Sequence, residues 1–340
     1  LTARHLEIKR RKFMKKKLWG VLLVLVLVAG LLSGCGSKAS EESAEENVTI
    51  RIAVQKSIAI PYLAEALGYY EDEFTEDNIN VELVEFSLGP EVIEAVASGE
   101  IDIGFLGDVP AFSGLLNGGD YKIVARWESD NSSYLITRDD ANINSLEDLK
   151  GKKLSYAFGS TQTALVYSYL EAAGLTEDDL EIINLSLADS VTSIVNGDVD
   201  AAIVDELRAT QAVEKGGVSK LMNSEGYKLF VSPIIATNEF TSAHPDLTSR
   251  VLNVIEKAAE YSEQNPDDAI AKAAERIGVE ESTIDPIIRN CDLEVYLGDE
   301  ELAAIKENAA QAYKYGVIKE ELNIDDYIDT KYLEDAGLTK

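Results

Sequence analysis

Between Val48 and Pro110 the chain alternates short strand patterns with helical ones, joined by loops of only a few residues. Residues 48–54 (Val-Thr-Ile-Arg-Ile-Ala-Val) alternate and branch like a buried strand. The stretch from Pro61 to Tyr70 has helical periodicity, with Pro in its first turn. Asn80 to Phe86 reads as a second strand, and Ser87-Leu88-Gly89-Pro90 turns into a helix over 91–97. Gly99 closes that helix, Ile101 to Leu106 is a third strand, and Gly107-Asp108-Val109-Pro110 opens a further helix. Strands returned by helices across short loops pair in parallel, which commits this region to an α/β sheet covered on both faces.

The same device recurs. Ile182 to Asp189 is a strand running into a turn, a helix follows to Val195, and Gly197-Asp198-Val199-Asp200 aligns with Gly99-Glu100-Ile101-Asp102. Ser186-Leu187 likewise echoes Ser87-Leu88. At 340 residues the chain has room for two units of about 150 residues. The repeat therefore predicts two similar lobes, each a mostly parallel sheet flanked by helices. Ser133 to Arg138 reads as a strand crossing between them and Leu229 to Thr237 as the return crossing, a two-strand hinge. From Asp246 onward the pattern is helical. The expected partition is 48–135 plus 233–340 for lobe 1 and 136–232 for lobe 2.

Ahead of the first strand lies a segment of another kind. From Met14 the chain reads Lys15-Lys16-Lys17, fifteen uncharged residues from Leu18 to Leu32, then Ser33-Gly34-Cys35. This is a basic, apolar and small-residue succession of signal-peptide type, short for the ~20 residues of a membrane span, with a tilted transmembrane anchor as the alternative. A signal of this kind would begin naturally at Met14. Gly36 to Asn47 is small, polar and acidic, and reads as a tether. Residues 1–34 hold eight Lys/Arg and one acid, Glu7. Removing them turns a net charge of −30 into about −37, from 23 basic and 60 acidic residues.

That balance excludes a sequence-independent grip on nucleic acid. Beyond the leader's His5 only His244 remains, next to Pro245, and Cys35 and Cys291 are the two cysteines. No His- or Cys-built metal site can be assembled from this set, and no metal or cofactor is expected. There is no G-x-S-x-G elbow, P-loop or G-x-G-x-x-G. Paired acids such as Asp205-Glu206 could serve as acid and base, yet nothing positions a bond between them. The expectation is a protein that is not an enzyme.

Specific motifs sharpen this. Leu32-Ser33-Gly34-Cys35 resembles a bacterial lipobox, which implies acylation of Cys35 as the mature N-terminus. Pro61-Tyr62-Leu63-Ala64 with Leu67-Gly68-Tyr69-Tyr70 is similar to a stretch of extracytoplasmic solute-binding proteins of the nitrate, sulfonate and taurine class of ABC importers. The run from Gly89-Pro90 through Ala95-Val96-Ala97-Ser98-Gly99-Glu100-Ile101-Asp102-Ile103-Gly104 fits that class, as does Gly107 to Ala111. So do Ser145-Leu146-Glu147-Asp148-Leu149-Lys150-Gly151-Lys152-Lys153-Leu154 and the segment from Ala172 to Ile182. The resemblance spans roughly residues 50 to 320. It departs where members often carry W-x-P, since this chain reads Val204-Asp205-Glu206-Leu207.

In open parallel sheets ligands sit beyond the C-terminal strand ends, against helix N-termini. In lobe 1 these positions are Gln55, Lys56 and Ser57, then Ser87, Leu88 and Gly89, then Gly107, Asp108 and Val109. In lobe 2 they are Ser160, Thr161 and Gln162, then Asp189, then Asp205 and Glu206. Ser160 to Gln162 is the best candidate anion site, and the same geometry is a helix cap. Lys56 is either a pocket cation or a solvated charge, and Asp108 and Asp189 are either ligands or caps. Asp205 and Glu206 either face inward, where they would pair with an ammonium group, or join the acidic surface. Trp127 either walls the cleft or packs in the hinge.

The resemblance implies a two-lobe, type II periplasmic-binding-protein fold. It further implies a monomer, lipid-anchored to the outer face of the bacterial cell membrane, that closes on a small anionic or zwitterionic solute such as an aliphatic sulfonate or taurine. Delivery would be to a cognate ABC permease. A ligand-sensing lipoprotein, or binding of nitrate, bicarbonate or a thiamine-pyrimidine precursor, is the alternative. An enzyme lineage of related fold makes such a precursor but needs His and a Cys-rich signature that this chain lacks.

Overall fold

A computed structural model describes residues 48–130 and 133–339. The expected leader, Cys35 and the 36–47 tether lie outside the described residues. No helix among the described residues is long and apolar enough to cross a membrane.

The strands are β1 (Thr49–Val54), β2 (Asn80–Glu85), β3 (Ile103–Phe105), β4 (Tyr121–Asp130) and β5 (Ser133–Arg138), then β6 (Lys153–Tyr156), β7 (Glu181–Asn184), β8 (Ala201–Asp205), β9 (Val218–Asn223) and β10 (Phe230–Thr237). They form two five-stranded sheets, ordered β2-β1-β3-β10-β4 and β7-β6-β8-β5-β9. The two orders are the same diagram. Each has three parallel strands, then one antiparallel strand, then an outer strand. In each sheet the antiparallel strand stands beside a sheet crossing, β10 after the return and β5 after the first passage.

Helices α1 (Ala59–Ala66), α2 (Tyr69–Phe74), α3 (Gly89–Ala97) and α4 (Asp108–Leu116) belong to the first lobe. Helices α5 (Thr161–Ala173), α6 (Leu187–Asn196) and α7 (Glu206–Glu214) belong to the second. The chain then returns for α8 (Asn238–Ala243), α9 (Leu247–Gln264), α10 (Pro266–Ile277), α11 (Glu281–Asn290), α12 (Asp299–Lys314) and α13 (Lys331–Ala336).

Alternation along β1 explains how the first sheet is covered. Ile50, Ile52 and Val54 join one buried cluster with α1, α9 and α10, while Ala53 joins a second with α3, α4 and α12. The second sheet has its own pair of clusters, around Leu154 and Tyr156 on one face and Ala202 and Val204 on the other. The late helices thus finish lobe 1. Arg126 of β4 fastens them: wholly buried, it donates from Nη2 to Asp292 at 2.6 Å and lies 4.2 Å from the Tyr296 ring.

Three expectations shift. The single helix over 61–70 is two helices, because Gly68 takes φ +73° and breaks the chain between α1 and α2. The third strand runs only over Ile103–Phe105, shorter than 101–106. The sheets also change hands slightly earlier than residues 135/136 and 232/233. Ser133 already pairs with Asp205 of the second sheet, and Phe230 with Asp130 of the first.

Candidate functional site

The parallel strands of both sheets end toward a cleft between the lobes, and six helices begin there. Its walls hold residues at or next to the N-terminal ends of α1 (Ser57, Ile58), α3 (Leu88, Gly89) and α4 (Gly107, Pro110) from lobe 1. From lobe 2 come those of α5 (Ser160, Thr161, Gln162), α6 (Leu187) and α7 (Asp205, Glu206, Leu207). Each helix start carries unpaired N–H groups and the positive end of the helix dipole. The space between these walls is about 70 Å³ and opens to solvent. At ~10–15 Å³ per water-sized sphere that admits roughly five to seven such spheres, a ligand of few heavy atoms.

The helix starts are not equally available. Asp205 accepts from the Arg208 N–H at 2.9 Å and caps α7, and Ser186 accepts from the Asp189 N–H at 3.1 Å and caps α6. At α5 the Ser160 hydroxyl is turned away, donating to the Ala157 carbonyl at 2.6 Å, so its side chain gives the first turn no cap. Ile58 before α1 has no side-chain acceptor to offer. The N-caps of α1 and α5, one from each lobe, thus leave their first turns without a side-chain cap, as Gly107 does before α4. The Thr161 hydroxyl, on a residue only 8 % exposed, has no hydrogen-bond partner among the described residues.

Of the sequence candidates, Gln55, Ser57, Leu88, Gly89, Ser160, Thr161, Gln162, Asp205 and Glu206 come together on the cleft. Gly89 lies against Pro110, where a Cβ would come within 2.4 Å of the ring. Lys56 is elsewhere, half exposed and 3.7 Å from Glu85. Ser87 is exposed, with its N–H on the Glu91 carboxylate at 2.9 Å. Asp189 is exposed and accepts from the Ser186 hydroxyl at 2.8 Å. Val109 is fully buried, and Asp108 is held at 2.6 Å by Lys228, both side chains inaccessible. These five residues do not line the cleft.

Both acids after β8 do line it. Asp205 also takes the Arg208 guanidinium at 3.0 Å, and Glu206, 4 % exposed, pairs with Lys220 and accepts from Thr210 at 2.8 Å. A third lining carboxylate, the buried Glu128, accepts from Ser232 at 3.2 Å. No lysine, arginine, histidine or cysteine is among the lining residues. Sequence reasoning missed Glu128, Ser133, Phe230 and Ser232, which floor the cleft where β4, β5 and β10 pass between the lobes. The predicted crossings were the available signal, since any strand entering or leaving a lobe must run beneath an interlobe cleft. Trp127 does both things open to it, lining the cleft while packed in the core and donating to the Leu106 carbonyl at 3.2 Å.

Comparison with known proteins matches this arrangement. A Bacillus subtilis protein described as an aliphatic sulfonates-binding protein is 28 % identical over 319 residues, 93 % of this chain and 96 % of that one. The alkanesulfonate-binding protein SsuA from Xanthomonas axonopodis, solved bound to MOPS, superposes with a TM-score of 0.76 at 22 % identity, covering 83 % of this chain and 98 % of that one. The desulfurization enzyme DSZB shares the fold more distantly, with a TM-score of 0.67 at 14 % identity over 85 % of this chain and 98 % of its own. These neighbours confirm the two-lobe periplasmic-binding-protein fold. The model of the family described as NMT1/THI5 like matches residues 55–269, from the loop after β1 to the start of α10, so this chain belongs to the NMT1/THI5-like family.

Proposed function

We propose that this protein is an extracytoplasmic solute-binding protein that captures a small sulfonate, best an amino-sulfonate zwitterion such as taurine, between its lobes and delivers it to an ABC permease. The observation that carries the reading is the convergence of six helix N-termini, three from each lobe, on one small cavity of mixed polar and apolar lining without a basic side chain among its described residues. Backbone donors favour an anionic group there without a bound countercharge. The relatives named for sulfonate binding support the ligand class. The three lining carboxylates support the zwitterion, because an ammonium group at the cleft would find acidic acceptors there beside the Arg208 and Lys220 that already pair with Asp205 and Glu206. Closure about the two interlobe passages would bury the solute. The signal-like leader and Cys35 support a lipid anchor at the membrane surface. DSZB shows that this fold also serves an enzyme, but here no His or Cys reaches the cleft, which supports binding without chemistry.

A thermal-shift screen tests this, because a ligand of the native state at 100 times its Kd adds ~2.7 kcal/mol of stability. Taurine and short alkanesulfonates are expected to raise the midpoint, and nitrate, bicarbonate and pyrimidines are not. No shift with any sulfonate overturns the assignment. Replacing Asp205 by Asn and Glu206 by Gln is expected to weaken taurine at least ~10-fold while altering ethanesulfonate by less than ~3-fold. Equal effects on both ligands remove the zwitterion.

A further inference from the structure

Gly107 ends the loop after β3 and precedes α4, with φ −78° and ψ 166°. That is ordinary extended backbone, open to any residue, so conformation gives no reason for glycine here. Space does. A Cβ on Gly107 would lie 1.8 Å from Thr161 Oγ1, 3.0 Å from Thr161 Cβ and 3.7 Å from its Cγ2. Thr161 is the first residue of α5, so the neighbour belongs to the opposite lobe. Turning the threonine about χ1 would not open the site, because its Cβ already stands at 3.0 Å and two of its three positions carry a heavy atom. Beside this contact, Gly159 of lobe 2 comes to 4.0 Å of Pro90 in lobe 1, measured from an ideal Cβ on the glycine.

We propose that the seating of Thr161 on the bare α-carbon of Gly107 is the stop of lobe closure, and that it thereby sets the length of ligand the cleft accepts. Both residues line the cavity, so the depth at which they meet fixes its height. A larger residue at position 107 halts the lobes further apart, leaving a taller cavity that fits a longer ligand and loses contact with a short one. The inference rests on the solute-binding reading for the ligand and on the geometry alone for the stop.

The test uses the full chain with Cys35→Ser and Cys291→Ser, carrying Pro90→Cys and Gly159→Cys as a trap for the closed state in ligand-free protein. Oxidation is expected to cross-link this parent, since an ideal Cβ at position 159 stands 4.0 Å from Pro90 Cγ, and urea unfolding of the parent checks that a cysteine at the φ of +73° there leaves the fold in place. Adding Gly107→Val is expected to slow cross-linking at least tenfold, and adding Thr161→Gly to that variant to restore the rate to within threefold. Gly107→Ala gives an intermediate rate. A parent that never cross-links, an unchanged rate in the Gly107→Val variant, or no recovery with Thr161→Gly overturns the stop. In the second arm, calorimetry with alkanesulfonates of two to eight carbons is expected to show Gly107→Val shifting preference toward the longer chains by at least tenfold. An unmoved preference overturns the role in ligand length. A wild-type protein that binds no sulfonate instead overturns the functional reading and leaves the cross-linking result standing.

Discussion

At the scale of single residues the clearest case is Asp108. A carboxylate at the start of a helix reads as a cap or a ligand, and it does accept from the Val109 N–H at 2.7 Å. Its principal partner is Lys228, 120 residues away and equally inaccessible. No local pattern signals such a pair, because charge complementarity acts through space and Lys228 lies in the connection between β9 and β10. Removing one member leaves the other charged and dry. Lys228→Met is therefore expected to cost about 3–5 kcal/mol of stability in urea unfolding. Asp108→Asn combined with Lys228→Met is expected to cost clearly less than the sum of the singles, since no buried charge is then left alone. Additive costs would mean the two groups are not coupled.

At the scale of elements the internal repeat acquires a physical cause. In lobe 1 the Asp102 carboxylate accepts from the Arg51 N–H of β1 at 2.8 Å, and its carbonyl accepts from the Thr237 N–H of β10. In lobe 2 the Asp200 carboxylate accepts from the Lys153 N–H of β6 at 3.0 Å, and its carbonyl accepts from the Arg138 N–H of β5. Each aspartate ties the first strand to the third and the third to the antiparallel one, so a sheet built this way keeps Gly-x-x-Asp at that corner. The corners differ in one respect. Asp102 also holds the Arg51 guanidinium at 2.8 and 3.0 Å, while Asp200 has no such partner among the described residues. Asp102→Ala is expected to cost ~1.5–3 kcal/mol, as hydrogen bonds to charged groups do, and Asp200→Ala less. Chemical denaturation of the two variants side by side checks the order.

At the scale of the molecule the lobes are joined by more than their two passages. Leu207 of α7 is buried in a cluster of lobe 1, and Phe230 of β10 in a cluster of lobe 2. Outside, Lys314 of α12 reaches Glu171 of α5 at 2.8 Å, Tyr315 donates to the same carboxylate, and Tyr315 stacks on Tyr167 at 5.6 Å. The bonds to Lys314 and Tyr315 hold Glu171 below the usual carboxylate range, and the bond to Glu171 holds Lys314 above its ordinary value. Burial, then the bond to Glu177, pushes Tyr167 up to about 12, so it stays neutral across the range that matters. The depressed acid contributes above its ordinary value of ~4.3 and is lost as pH falls through its lowered one. The raised lysine contributes below ~10.4 and is lost as pH rises through its raised one. The contact is therefore whole at neutral pH. Glu171→Gln is expected to lower the unfolding midpoint by about 2 °C or less between about pH 6 and 9. That difference is expected to vanish below the ordinary carboxylate range. A difference that persists in acid would show that charge is not its source.

What the sequence determined by itself is local and periodic. Strand alternation, helix starts and the Gly-x-x-Asp repeat announced two α/β lobes, and the loops after the strands offered Ser160, Thr161 and Gln162 as cleft candidates while leaving Asp205 and Glu206 open between cleft and surface. Those readings hold because backbone geometry places every strand end of a parallel sheet on one side. Only the tertiary structure decided which loop residues turn inward. It withdrew Lys56, Ser87, Asp108, Val109 and Asp189, brought Glu128, Ser133 and Ser232 in from the crossing strands, and set Thr161 against Gly107. Direction at a loop is fixed by neighbours from the other lobe and from the returning chain. Their separation along the sequence, 54 residues for Gly107 and Thr161 and 120 for Asp108 and Lys228, leaves no periodic trace.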